Sequence, residues 1–97
     1  MFKIYAVLIS LLLVNAGMAQ NRFTLNGYVK DSLSGESIIG ATISVSGQSK
    51  AVTSNQYGFY SITLEEGTYT LQVSHVSYAG VSLQLVLHGN QSHNFDL

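Results

Sequence analysis

Cysteine, proline and tryptophan are absent from this 97-residue chain, and only 9% of its residues are charged. Without cysteine there is no disulfide scaffold, no thiolate metal site and no cysteine nucleophile. Without proline, the turns fall to Gly, Asn, Asp and Ser, and nine glycines are available for them. Basic residues number 4 and acidic residues 5, for a net charge of -1. No basic surface can be built from that, which excludes electrostatic binding of nucleic acid. Sparse charge does not imply disorder here, because 46% of the residues are hydrophobic. The length suits one small domain.

The first residues read as a leader. Lys3 is followed by an apolar run over residues 4–14, which Asn15 breaks. Gly17 and Ala19 place small side chains before a cut at Gln20. This is the three-part pattern of a secretory signal peptide. The alternative is a membrane anchor, but the run is far shorter than the roughly 20 residues of a membrane span. No cysteine stands at the cut for a lipid anchor. The expectation is a cleaved signal peptide over residues 1–19 and an exported domain over residues 20–97, with no transmembrane segment in the mature chain.

Beyond the leader, the hydrophobic period is two. Leu25, Gly27 and Val29 share one side of a strand over residues 23–30. Ile38 and Ile39 suggest a short edge. Ala41, Ile43 and Val45 alternate with Thr42, Ser44 and Ser46. Residues 50–53 form a short strand. Tyr60, Ile62 and Leu64 make the next face, then Tyr69, Leu71 and Val73, then Val81, Leu83, Leu85 and Leu87. Phe95 and Leu97 close the sheet. Turns fall at 31–36, 47–48, 55–58, 65–67 and 88–90, with Gly58 at a position suited to positive φ. No helical period is present. Such strands, each with one apolar face, need a second layer, and two packed sheets supply it. A small open barrel is the alternative. Lys30 and Lys50 are expected to guard sheet edges.

Candidate chemistry is thin. His75, His88 and His93 match no compact metal motif, and ordinary histidines are the expectation. There is no Gly-x-Ser-x-Gly elbow for a serine hydrolase. Glu65 and Glu66 are neighbours in a hairpin link, not carboxylates facing one another. Asp31 with Glu36 lacks the alternating oxygen pattern of a calcium loop, and Asp31 is expected to cap its own turn. No catalytic residue, cofactor or metal site is assigned.

Six tyrosines and four phenylalanines are the notable surplus. Tyr60 and Tyr69 face inward. Tyr57 and Phe59 fall off the core phase beside a turn, and Tyr78 falls in a connection. These three either contact a partner, protein or glycan, or fold back over the end of the sandwich.

The series Thr24-Leu-Asn-Gly27-Tyr-Val29-Lys-Asp31, Ser34-Gly35-Glu36, Ile39-Gly40-Ala41-Thr-Ile43-Ser-Val45-Ser-Gly47, Thr53, Gly58-Phe-Tyr60-Ser-Ile62 and Gly67-Thr-Tyr69-Thr-Leu71-Gln-Val73-Ser74 to Tyr78 resembles the carboxypeptidase regulatory-like domain. Directly after a leader, it is similar to the N-terminal extension of SusC/RagA-type TonB-dependent outer-membrane receptors of Bacteroidetes. The family's Thr-Asp-x-x-Gly turn is Thr53-Ser54-Asn55-Gln56-Tyr57-Gly58 here, one residue longer and without its Asp. The resemblance implies a seven-stranded, all-β, transthyretin-like Greek-key sandwich. It implies a non-catalytic domain in the periplasm or at the outer membrane, for nutrient or glycan uptake, whose partners are a protein or downstream plug and barrel domains. The alternative function is a free-standing secreted or periplasmic module that binds a glycan or a protein.

Overall fold

Side chains alternate across a strand, so the period-two residues sort themselves into faces. In the computed structural model, which describes residues 21–97, the strands are β1 (Arg22–Lys30), β2 (Thr42–Val45), β3 (Ala51–Thr53), β4 (Phe59–Glu65), β5 (Gly67–His75), β6 (Tyr78–Leu87), β7 (Gln91–Ser92) and β8 (Phe95–Asp96). The leader and its cleavage site lie outside the described residues. One sheet runs β4-β1-β7, with β8 also on β1; the other runs β3-β2-β5-β6. The two inner faces enclose one core, in which Leu25, Ile43, Tyr60, Ile62, Leu71 and Leu87 are fully buried.

The fold is the all-β two-sheet sandwich expected, with eight strands instead of seven. The extra strand arises because the C-terminal tail is interrupted at His93 and Asn94. Both tail pieces run parallel to β1, Leu25 opposite Gln91 and Val29 opposite Phe95. On either side of β7, asparagine side chains supply acceptors to β1. The backbone N–H of Thr24 donates to Asn90 Oδ1, and that of Tyr28 to Asn94 Oδ1, both at 2.9 Å.

This topology revises three local expectations. β1 is central in its sheet, so Lys30 does not guard an edge. Ile38 and Ile39 form no strand; a single bridge joins Ser37 to Lys30, with Ile38 buried and Ile39 exposed. Tyr78 opens β6 and pairs with His75 across the turn at residues 76–77, next to an irregularity between Val73 and His75, instead of lying in a connection.

Segment 37–41 crosses from one sheet to the other, and its polar backbone needs partners. Ser54 is the buried polar side chain that serves it, with 3% of its surface exposed. Its Oγ accepts from the N–H of Ala41 at 2.9 Å and donates to the carbonyl of Ile38 at 2.7 Å. Ser54→Ala strands both groups. The expected loss is about 2 kcal/mol, read as a lower urea midpoint at unchanged slope. A midpoint equal to wild type would show that water replaces the hydroxyl.

Candidate interaction site

The loops at one end of the sandwich are built by short side chains that fold the backbone onto themselves. In the 31–36 loop, Asp31 Oδ1 accepts the N–H groups of Leu33 at 2.8 Å and Ser34 at 3.0 Å. Asp31 therefore caps its own turn, as its place in the sequence suggests. Its other oxygen accepts the Tyr78 hydroxyl at 2.8 Å, which ties the loop to the start of β6 in the opposite sheet. The Ser34 backbone donor foremost, then Tyr78 and Leu33, hold the Asp31 carboxyl below its usual range. The same bond, with burial second, raises the Tyr78 phenol above its ordinary value.

In the 55–58 turn, Asn55 folds the backbone onto its own side chain. Its Oδ1 accepts from Tyr57 N–H at 2.9 Å and Phe59 N–H at 3.1 Å. Gly58 has φ 76 and a side-chain position only 2.6 Å from the Val29 carbonyl oxygen, so both conformation and space demand glycine. In the third loop, the His75 ring is held at both nitrogens. Nε2–H donates to the Ile39 carbonyl at 3.1 Å, and Nδ1 accepts from Ser77 N–H at 3.1 Å. Its ring also meets Tyr78 edge-on at 5.4 Å.

The predicted contact residues separate into two groups. Tyr57 projects from its turn with 65% of its surface exposed. Phe59 is half-buried on the outer face of the first sheet, edge-on to its cross-strand neighbour Tyr28 at 5.5 Å. The Lys30 ammonium lies 5.8 Å from the Tyr28 ring. Tyr78 is half-buried and its hydroxyl is committed to Asp31, so it braces the loop from the other sheet. Tyr28 is not singled out by alternation alone. It sits out of core phase in β1, but only its register opposite Phe59 turns two scattered rings into a pair.

This end therefore presents apolar rings, a cation and satisfied backbone. Such a surface can stack on or pack against a partner. The histidines do not converge, and among the described residues no three His, Cys, Asp or Glu side chains are grouped to hold a metal ion. No described helix is long and apolar enough to cross a membrane.

Comparison with known proteins agrees with the architecture. The profile of the CarboxypepD_reg-like domain matches residues 25–97. Mouse carboxypeptidase D is 32% identical over 63 residues, a stretch covering 65% of this chain and 5% of that protein. Among solved structures, a type II cohesin–X-dockerin complex from Acetivibrio cellulolyticus superposes with a TM-score of 0.65 at 18% identity, over 75% of this chain and 52% of that one. A DUF3823 family protein from Parabacteroides merdae gives a TM-score of 0.60 at 18% identity, over 80% of this chain and 46% of that one. At that identity the structural likeness is one of fold. This chain spans about half of either structure and a small part of the carboxypeptidase.

Proposed function

The chain belongs to the CarboxypepD_reg-like domain family, and from that premise we propose that it acts as a periplasmic accessory domain of a TonB-dependent outer-membrane receptor for nutrient or glycan uptake. The domain is non-catalytic and works by contact with other protein. The observation that carries this reading is the family match over residues 25–97, directly behind a leader-like segment. The loop end supports it. Tyr57 and Phe59, with Tyr28, form the proposed contact surface, and Tyr78 holds the loop behind them. The likeness to a cohesin–X-dockerin complex supports a contact role only as a property this fold can carry. Export through the leader and removal of residues 1–19 belong to the same proposal.

The test is the intact mass of the native product in separated periplasmic and outer-membrane fractions. The expected result is an outer-membrane polypeptide several times larger than this chain, containing its peptides. A small soluble periplasmic species beginning at Gln20 and ending at Leu97 would overturn the receptor reading and favour a free-standing binding module.

A further inference from the structure

The free edge of β6 has features that natural sheet edges usually avoid. Among the described residues β6 is the last strand of its sheet, and it is ten residues long. Its sequence, YAGVSLQLVL, has no charged residue to discourage pairing. Its inward side chains Val81, Leu83 and Leu85 are only half-buried, unlike Leu71 and Val73 on the adjacent strand. Beside them lies an open crevice of about 420 Å³, lined by Leu25, Leu83, Leu85, Gln91 and His93 among others. Val86, on the outer face, is 55% exposed.

The hydrogen-bond phase of this edge can be worked out. The N–H of Ser46 donates to the carbonyl of Thr70, so Thr70 faces β2. Backbone direction alternates along an antiparallel strand. Tyr69, Leu71 and Val73 then face β6, where they sit opposite Leu85, Leu83 and Val81. Ser82, Gln84 and Val86 must turn their N–H and C=O groups away from β5. A separate contact agrees: the Val86 carbonyl accepts a long bond, 3.4 Å, from the Gln91 side chain outside the sheet.

We propose that β6 pairs antiparallel with β6 of a second copy of this chain, about a two-fold axis at Gln84. That axis places Gln84 opposite Gln84 and Ser82 opposite Val86, which are the residues whose backbone groups face outward. Six ladder bonds form, and Gln91 releases the Val86 carbonyl to the partner copy. On the inner face Leu83 meets Leu85 and Val81 meets Leu87 in the closer, non-hydrogen-bonded pairs. The half-buried leucines are thereby covered. Charge favours a second copy over a foreign strand. β6 has no charged group with which to select a partner of opposite sign, and residues 20–97, with three basic and five acidic side chains for a net charge of -2, give two copies little mutual repulsion. The pairing does not depend on the receptor reading.

The chain has no cysteine, so a single introduced thiol reports cleanly. Residues facing one another as a hydrogen-bonded pair have Cα atoms about 5.5 Å apart, within disulfide range. Gln84→Cys in the full chain is expected to give a disulfide-linked dimer on mild oxidation. Ser61→Cys, exposed on the other sheet, is expected to stay monomeric. In sedimentation equilibrium over a concentration series, the unmodified chain associates to a dimer. Gln84→Lys sets two ammonium groups face to face at an exposed site and raises the dissociation constant roughly tenfold or more. Circular dichroism confirms that both Gln84 variants are folded. A folded chain that sediments as a monomer at every concentration overturns the proposal. So does a dimer indifferent to Gln84→Lys whose Gln84→Cys form does not cross-link.

Discussion

Gly27→Ala is expected to destabilise this domain by about 3 kcal/mol, at the upper end of what overpacking a core costs. The reason is not conformational, since Gly27 has no positive φ. A Cβ at this position would sit 1.9 Å from the His93 carbonyl oxygen and 2.6 Å from its carbon. Both are backbone atoms, so the tail itself must move. It is not free to do so. His93 N–H donates to the Asn26 carbonyl at 2.8 Å, its own carbonyl accepts the Tyr60 hydroxyl, and Asn94 caps the Tyr28 N–H. Displacing the crossing therefore loosens β7 and β8 together. Gly89→Ala is the control, because nothing lies within 4 Å of a Cβ there. Urea unfolding of the two variants checks the claim. If Gly27→Ala matched Gly89→Ala, the tail would have to be docked less firmly than its hydrogen bonds indicate.

The second large effect appears at alkaline pH. Tyr60 is buried, with 1% of its surface exposed, and burial pushes its phenol up to about 12. In the unfolded chain the group titrates near its ordinary value of about 10. Between these two values the unfolded state has lost a proton that the folded state keeps. The folded state binds more protons, so stability falls as pH rises. The contribution is fully present below about pH 10 and is lost as pH climbs through about 12, amounting to about 3 kcal/mol. Tyr78 is raised in the same direction by its bond to Asp31 and adds to the slope. Denaturant midpoints measured from neutral pH upward should decline through this window. Tyr60→Phe should start lower at neutral pH, having lost the bond to His93, and then decline less steeply. An unchanged slope in Tyr60→Phe would assign the alkaline loss to other groups.

These effects show which parts of the molecule could be read in advance. The faces of the strands were legible because alternation is local. Period two alone puts Leu25, Ile43, Tyr60, Ile62, Leu71 and Leu87 on the core side, and each is buried. The 55–58 turn was legible because Asn and Gly carry their own reasons for turning. The off-phase positions of Tyr57 and Phe59 followed from the same alternation. The family resemblance was carried by the order of these local signals, and it extends over the residues that match the family.

Pairing was a different matter. Alternation says which face a residue takes but not which strand stands beside it. The tail bonds to β1 across 66 positions of sequence, through side chains of Asn90 and Asn94 whose role cannot be inferred from their neighbours. That one decision places β1 at the centre, removes Lys30 from an edge, makes Gly27 indispensable and leaves β6 as a long outer strand. The bond from Tyr78 to Asp31 is equally non-local, 47 positions apart, and it decides that this ring braces a loop. The sequence by itself determined the class of structure, the residues of its core and the absence of cysteine chemistry, because composition and short-range periodicity suffice for those. Tertiary structure alone decided strand order, edges and the grouping of the surface rings, because these depend on which distant segments meet.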